Sequence, residues 1–204
     1  MLLCDIGNTS YHFFDENSDY KKEVKIFNPA SIKEKVFYVC VNINIKKSLQ
    51  KLDNWIDISV YVDKSKYYES MGIDRIMACE AINSGVVIDA GSAITVDVVK
   101  NSVFQGGFIY PGLVSMSKAY KNISTLLDYP FNFELDLTKL PKNSIDAISY
   151  GYLKTLYNEV ISYNMDIYLT GGDSKNFAKI FPNAKIDEIL IFKGMKKKFN
   201  EKHV

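Results

Sequence analysis

Short apolar runs separated by polar turns recur along the chain, and their spacing predicts a mixed α/β protein. In the first third, apolar or alternating segments predict strands at Leu2–Ile6, Tyr11–Phe14, Glu23–Phe27, Val36–Val41 and Ile58–Val62. Two segments between these strands favour helices, a short one at Ser31–Lys35 and a longer one at Ile45–Trp55, where apolar residues recur at helical spacing.

The same order of elements returns further along. Strands are predicted at Val86–Ala90, Ile94–Val99, Val103–Ile109 and Asp166–Leu169, and helices at Asp74–Ser84, Pro111–Leu127, Ser144–Tyr163, Ser174–Ile180 and Asp187–Lys202. The stretch Asp128–Lys142 has no clear period and is predicted as a loop. Two halves that each place three strands before a helix and a further strand indicate an internal duplication.

Two of the predicted strands end in the same order of residue types: a carboxylate, a glycine and a small polar side chain. These segments are Asp5–Thr9 and Asp89–Ala93. Glycine lets the backbone approach an anion, and backbone amides and hydroxyls can donate to phosphate oxygens. A carboxylate beside phosphate requires a cation between them, so both aspartates are candidate Mg²⁺ ligands, directly or through water. The alternative is a pair of ordinary strand–turn junctions in which Asp forms the turn.

Composition and charge exclude several other classes of protein. The 204 residues carry a net charge of +1, which gives no indication of a nucleic-acid surface. The three cysteines are widely spaced and form no Cys-x-x-Cys pair, so neither a zinc site nor a disulfide framework is indicated. No stretch is long and apolar enough to cross a membrane, and Met1 opens directly on a predicted strand rather than a signal peptide, so a cytoplasmic location is expected. The lysine-rich run Lys193–Lys202 is predicted to be a solvated helix face.

Five short motifs occur in a fixed order, and together they resemble the type III pantothenate kinases. The motifs are Asp5–Thr9, Gly72–Arg75, Asp89–Thr95, Gly106–Gly112 and Thr170–Asp173. That family belongs to the acetate and sugar kinase, heat-shock protein 70 and actin superfamily. The resemblance covers residues 1 to about 175. It implies an α/β fold of two actin-like (ribonuclease H-like) lobes from an internal duplication, here residues 1–70 and 71–204, with the nucleotide in the cleft between them.

The resemblance implies ATP-dependent phosphorylation of the primary hydroxyl of pantothenate to 4'-phosphopantothenate, the first step of coenzyme A biosynthesis. It implies a homodimer, Mg²⁺ with ATP, and a monovalent cation, K⁺ or NH₄⁺. The charge and the lack of a long apolar stretch predict no nucleic-acid partner and no membrane. By the same resemblance, Asp89 serves the monovalent cation and Asp5 serves Mg²⁺, directly or through water. The residues implied for ATP and its phosphates are Asp5, Gly7, Asn8, Thr9, Gly91, Ser92, Ala93, Gly171 and Gly172. Ser92 stands where the family usually has threonine.

Asp74 matches the acid of the family's Gly-x-Asp-Arg motif, which implies that it is the catalytic base. At the start of a predicted helix, its carboxylate is helped to stay ionised by the helix dipole, with a near-normal pKa. The alternative is that Asp74 is the N-cap of this helix, and both roles can hold at once. Arg75 carries a guanidinium fork suited to the carboxylate of pantothenate, with a surface ion pair to Glu80 or Glu69 as its alternative.

The remaining substrate-side residues also follow from the resemblance. They are Gly72, Ile73, Gly107, Ser144 and a tyrosine, for which Tyr67 is preferred over Tyr68. Ser144 stands where the family has a threonine that contacts pantothenate across the dimer, and its alternative is a helix N-cap. The Gly106-Gly107 pair is also typical of a strand bulge, and Thr170–Asp173 of an ordinary turn with Asp173 capping the next helix.

Two rival functions remain open at this point. One is another phosphotransferase or phosphohydrolase of the same superfamily, against which the Gly72–Arg75 motif counts. The other is a non-enzymatic transcription accessory factor, a label given to some proteins that resemble this family. The neutral charge and the lack of an indicated helix-turn-helix or basic arm count against direct DNA binding.

Overall fold

The computed structural model describes residues 1–203. These residues form two compact units. The first unit contains residues 1–83, 102–104 and the C-terminal segment from residue 189 onward. The second unit contains residues 84–101 and 105–188. Each unit is built on one five-stranded mixed sheet, so the chain has the predicted α/β class.

The sheet of the first unit has the strand order β3-β2-β1-β4-β5. Its strands are β1 (Leu2–Ile6), β2 (Ser10–Phe14), β3 (Asp19–Glu23), β4 (Val36–Cys40) and β5 (Trp55–Asp57). β1 is antiparallel to β2 and parallel to β4. The helices of this unit are α1 (Ile43–Leu49), α2 (Ile73–Glu80) and the last helix of the chain, α6 (Leu190–His203).

Alternation along β1 places its apolar side chains on both faces of this sheet. Leu2, Cys4 and Ile6 point to one face, where they join a buried aromatic cluster that includes Phe13 and Trp55. On the helical side, α2 packs along α6. The physical reason for that packing is Gly194 of α6, whose missing side chain lets the backbone of Met77 in α2 come into direct contact.

This packing explains why the compact units differ from the division expected at residue 70. Both α2 and α6 belong to the first unit, although the predicted boundary assigns them to the second lobe. A sequence boundary follows chain order, whereas the contact between α2 and α6 joins segments more than a hundred residues apart.

The sheet of the second unit has the order β10-β9-β6-β7-β8. Its strands are β6 (Gly85–Ala90), β7 (Ala93–Lys100), β8 (Val103–Pro111), β9 (Ile167–Thr170) and β10 (Lys185–Ile186). The helices are α3 (Leu113–Ile123), α4 (Ser144–Ser162) and α5 (Ser174–Ala178). The core of this unit is continuous, and its fully buried members include Val86, Ile88, Leu153, Leu169 and Phe177.

The two sheets share one topology, which confirms the predicted duplication. In each sheet the first strand is antiparallel to the second and parallel to the fourth. One helix joins the fourth strand to the fifth in each half, α1 in the first and α5 in the second, and another helix follows the fifth strand.

The helix expected at Ile45–Trp55 is the shorter α1, Ile43–Leu49, and Trp55 begins β5 instead. Three further predicted elements differ from the structure, each because a local cap or turn prevails over the apolar pattern. The strand expected at Ile58–Val62 is a 3₁₀ helix, Ile58–Tyr61, capped by the Asp57 carboxylate, which accepts from the Ser59 amide at 2.9 Å. The helix expected at Ser31–Lys35 is a 3₁₀ turn at Pro29–Ser31. The strand expected at Glu23–Phe27 lies earlier, as β3. Within residues 1–203 no helix is both long and apolar enough to cross a membrane.

Candidate functional site

The first glycine turn connects β1 to β2. The Gly7 amide donates to the Ser10 carbonyl at 3.0 Å, which closes the turn, and the Val24 amide donates to the Thr9 carbonyl at 2.9 Å, which ties it to the following segment. Asn8 and Thr9 are exposed, and Asp5 is half-buried near the end of β1. The turn therefore presents its polar groups to solvent on a braced backbone.

The second glycine turn connects β6 to β7 in the same way. The Gly91 amide donates to the Ala93 carbonyl at 3.1 Å. Ser92 and Ala93 are exposed, while Asp89 is half-buried near the end of β6. The two halves of the duplication thus carry an equivalent turn at an equivalent place in their sheets.

A third glycine segment is attached to this second turn. Gly171 follows β9 with φ +86°, and a Cβ there would lie 2.6 Å from the Ala90 carbonyl oxygen and would also collide with the Asp89 carboxylate. The Asp173 amide donates to the same Ala90 carbonyl at 2.9 Å. The structure therefore brings Gly171 and Gly172 next to the Asp89–Ala93 turn.

The start of α3 rests on the same turn. A Cβ on Gly112, the residue that precedes the helix, would lie 2.6 Å from the Gly91 carbonyl oxygen and would overlap the Ser92 carbonyl. Within the described residues, no side chain caps this end of α3. Because the first amides of a helix lack partners inside the helix, they form a positive end that attracts anions.

These segments surround an open cavity of about 480 Å³ in the second unit. Its lining residues come from the β6–β7 turn, the first turn of α3 and the turn after β9, and they are Ala90, Gly91, Ser92, Val114, Ser115, Gly172 and Asp173. The volume lies in the usual range for a small-molecule site. Sequence reasoning missed Val114 and Ser115 in this role, although the Pro111-Gly112 helix start was the signal that could have found them.

Asp74 lies in the first turn of α2, but the residue that caps this helix is Gly72. The interpretation of Asp74 as the N-cap is therefore wrong. Its Oδ1 accepts from the Arg75 amide at 2.8 Å and folds back so far that a Cβ on Gly72 would lie 2.5 Å from it. Glycine at position 72 leaves the space that this carboxylate occupies.

The pKa of Asp74 is raised above its ordinary value, mainly because the carboxyl group is desolvated by burial. The hydrogen bond from the Arg75 amide and the charge of Arg75 oppose this shift. The expectation of a near-normal pKa was therefore wrong. A carboxylate with a raised pKa is a stronger proton acceptor than an ordinary aspartate, which suits a general base.

Arg75 is 6% exposed, so it is not the surface arginine of the alternative interpretation. Its guanidinium donates to the hydroxyl of Tyr68 and lies 5.6 Å from the centre of that ring. The preferred tyrosine, Tyr67, instead donates its hydroxyl to Glu80 at 3.0 Å. The tyrosine that contacts Arg75 is thus Tyr68.

The C-terminal helix holds the far end of α2. Lys198, only 8% exposed, lies 3.2 Å from the Glu80 carboxylate, and Lys197 donates to the Glu80 carbonyl at 2.9 Å. A cation at the C-terminal carbonyls of a helix is favourable for the helix dipole. The lysine run of α6 is therefore only in part a solvated face, since two of its members fix the helix that carries Asp74 and Arg75.

The remaining predicted residues lie on accessible positions. Ser144 is the exposed first residue of α4, and the cap is Asn143, whose side-chain oxygen accepts from the Asp146 amide at 2.9 Å. The interpretation of Ser144 as the N-cap is therefore wrong. Gly107 is exposed on β8, a strand at the edge of its sheet, and Ile73 is half-buried at the start of α2.

Comparison with known proteins places these features in a family. A model of the family described as type III pantothenate kinase matches residues 32–163. A type III pantothenate kinase of Sulfurimonas denitrificans is 68% identical over 96% of this chain and 96% of its own length. A Campylobacter jejuni protein described as a Baf family transcriptional activator has a crystal structure that matches with a TM-score of 0.90 at 40% identity, covering 100% of this chain and 99% of that one. A Sinorhizobium meliloti protein described as a 2-dehydro-3-deoxygalactonokinase matches with a TM-score of 0.56 at 8% identity over 98% of this chain and 96% of its own, which shows a shared fold alone.

Proposed function

The chain belongs to the type III pantothenate kinase family, and on that premise we propose how its residues carry out the ATP-dependent phosphorylation of pantothenate, the first step of coenzyme A biosynthesis. The observation that carries the proposal is the cavity beside the Asp89–Ala93 turn, where that turn, the Gly171–Gly172 segment and the uncapped start of α3 meet. ATP is the phosphoryl donor, and we place the reaction in the cytoplasm.

The nucleotide is assigned to this cavity of the second unit. Its phosphates lie against the Gly91–Ser92 turn and accept from the backbone amides of Ser92 and of the first turn of α3, and its adenosine lies along Gly171 and Gly172. Close approach along this segment is feasible because Gly172 lines the cavity and carries no side chain. In the first unit, Gly7, Asn8 and Thr9 form the equivalent turn, whose exposed polar groups we also assign to phosphate.

The donor sets fit the two implied cations. Mg²⁺ usually keeps several waters and binds through one or two carboxylates plus substrate phosphate, so Asp5, directly or through water, suffices without a larger cluster. For the monovalent cation, Asp89 faces Thr95 across the β6–β7 pairing, and the buried Thr95 hydroxyl has no hydrogen-bond partner among residues 1–203. We assign K⁺ or NH₄⁺ to this pair. A bound cation here offsets negative charge on the phosphates.

On the substrate side, Asp74 is the proposed base for the primary hydroxyl of pantothenate. Phosphoryl transfer has a loose transition state, so the base chiefly orients the alcohol and accepts its proton. Gly72 makes room for the carboxylate, and burial raises the pKa of Asp74. Arg75 is the proposed partner of the pantothenate carboxylate, and its contact with Tyr68 makes Tyr68 a better candidate than Tyr67 for the substrate-side tyrosine.

Replacing Arg75 with alanine is expected to raise the KM for pantothenate far more than the KM for ATP. Loss of a bidentate charge pair costs about 2–4 kcal/mol, or roughly 30- to 1000-fold in substrate binding. The measurement is initial rates with each substrate varied in turn. Tyr68→Phe is the matched variant: it keeps the ring and Arg75 but removes the hydroxyl that accepts from the guanidinium, so a smaller rise in the same KM is expected. An equal rise in the KM for pantothenate and in the KM for ATP would contradict the assignment of Arg75 to the carboxylate of pantothenate.

The second unit also carries the surface that favours a homodimer. No residue of α3 is buried, and Ile123 and Leu126, at and just after its end, are 73% and 78% exposed. Apolar side chains of this size, concentrated on one helix and its extension, are typical of a protein–protein interface. We assign this surface to a second copy of the chain, with the exposed Ser144 reaching pantothenate bound to that copy.

Leu126→Asp is expected to convert the dimer to a monomer, because the interface would then bury an unpaired carboxylate. Light scattering coupled to size exclusion measures the mass. Ile26→Asp, an exposed isoleucine of the first unit, is the control and should leave the dimer intact. A wild-type protein that is already monomeric and fully active at nanomolar concentration would refute the proposal that Ser144 contacts pantothenate bound to a second copy.

A coupled assay of ADP release tests the function itself. We expect release that depends on pantothenate and rises when K⁺ replaces a bulky monovalent cation. No turnover with or without K⁺ would contradict the assignment. ADP release without pantothenate would favour another phosphotransferase or phosphohydrolase of the superfamily, and retention on DNA at moderate salt would favour the transcription factor.

A further inference from the structure

Tyr152 of α4 is buried in the second unit, and its hydroxyl makes its polar contact at the end of β8, just before the first turn of α3. It is 1% exposed, and its ring lies between those of Tyr110 and Phe131, with centroids 5.0 and 4.7 Å away. Its hydroxyl donates to the carbonyl of Pro111, and in return the Tyr110 hydroxyl donates to the Tyr152 carbonyl at 3.4 Å. The two hydrogen bonds fasten the end of β8 to α4.

Pro111 immediately precedes Gly112. The backbone of Gly112 lies so close to the Gly91 and Ser92 carbonyls that a Cβ would not fit between them. The position of the Pro111 carbonyl therefore determines how the first turn of α3 lies over the β6–β7 turn. Val114 and Ser115 of that first turn line the cavity. Amides bind an anion well only when they are held in place before it arrives, because otherwise binding must order them.

We propose that Tyr152 is a positioning residue for the nucleotide, which acts by fixing the amide-bearing end of α3 through Pro111. This inference rests on the proposed function, since it takes the cavity to be the ATP site. Tyr152 lies in the core and is not among the residues that line the cavity. Its effect is therefore on ATP binding, with the chemical step and the pantothenate side left alone.

Tyr152→Phe is the discriminating variant, because it removes one hydroxyl and keeps the ring between Tyr110 and Phe131. We expect the KM for ATP to rise about three- to tenfold, with kcat and the KM for pantothenate changed less than twofold, in line with the loss of one buried hydrogen bond. Tyr157→Phe, five residues further along α4, is the control and should leave both constants unchanged; its ring stacks on Phe181. Titration calorimetry with Mg-ATP alone gives an independent readout of affinity.

The outcomes separate this inference from the proposed function. If wild-type protein shows no ADP release that depends on pantothenate, the proposed function fails. If wild type is active but Tyr152→Phe binds ATP as wild type does, or raises both KM values equally, the positioning role is overturned. A variant with a lower melting temperature and fewer active sites but an unchanged KM for ATP would make Tyr152 merely structural. Should Tyr152→Phe fail to fold, Tyr110→Phe weakens the same link and must raise the KM for ATP.

Discussion

Replacing Asp74 with asparagine is expected to lower kcat by at least roughly a hundredfold, because a positioned general base contributes about 10²–10⁴-fold. Asparagine keeps the size of the side chain and its ability to accept from the Arg75 amide, but it loses the charge and the proton-accepting oxygen. The KM for ATP should change little, since Asp5 and Asp89 are assigned to the phosphate side. Initial rates at saturating substrates measure the effect.

The pKa shift of Asp74 gives this variant its folding control. The folded-state pKa is raised, so the protonated acid is the form that the fold favours. Its contribution to stability is full below the ordinary pKa of an aspartate and is lost as pH rises from there through the raised pKa of the folded state. At neutral pH the ionised carboxylate therefore opposes folding. The neutral asparagine removes that cost, and we expect the melting temperature of Asp74→Asn to equal or exceed that of wild type.

The same shift predicts the pH dependence of the wild-type enzyme. Catalysis requires the ionised base, so kcat/KM for pantothenate should fall as pH decreases through the raised pKa of Asp74, above the value of about 4 for an unperturbed aspartate. The asparagine variant should lose this acid limb. If it folds and keeps more than about a tenth of wild-type kcat, Asp74 is not the base, and Asp89 becomes the next carboxylate to test.

Local patterns predicted the elements whose residue types and period agree. β1 has the predicted bounds, and β6 and α4 differ by one residue at one end, because an apolar run that ends in a carboxylate–glycine turn marks each strand and an Asn-Ser start marks the helix. Ile58–Val62 failed because its apolar composition resembles a strand, while a single preceding carboxylate caps a 3₁₀ turn instead. The duplication was visible because each half repeats its order of elements.

The candidate site was predictable only as far as its motifs are local. The glycine turns could be located from their residues. The contact between the start of α3 and the Gly91–Ser92 backbone arises instead from packing between separate segments. The choice of Tyr68 over Tyr67 depends on which hydroxyl reaches Arg75, a matter of tertiary geometry that adjacent positions cannot reveal. The burial of Lys198 likewise follows from the packing of α6 against Glu80. A lysine-rich run is otherwise typical of a solvent-exposed helix face.

Gly194→Ala is expected to destabilise the protein substantially, although alanine is the better helix former. A Cβ at this position would overlap the carbonyl oxygen of Met77 and lie 2.7 Å from its carbonyl carbon, so the backbone of α2 or α6 must move. Overpacking of this kind costs about 1–3 kcal/mol or more, against a gain of about 1 kcal/mol in helix propensity. We expect a net loss near the upper end of that range, because the colliding atoms belong to rigid backbone.

The displaced helix carries Asp74 and Arg75 at its other end, so this variant should also lose activity in proportion to how far α2 shifts. A loss of about 2–3 kcal/mol corresponds to a melting temperature lower by about 4–12 °C for a chain of this size. Gly151→Ala is the matched control: this glycine lies on the exposed side of α4, and a Cβ there meets no atom within 4 Å. Its melting temperature should rise slightly, by the propensity gain alone. If both alanine variants melt at or above wild type, the close contact between α2 and α6 does not constrain the fold, and the placement of the catalytic helix must depend on its N-terminal contacts.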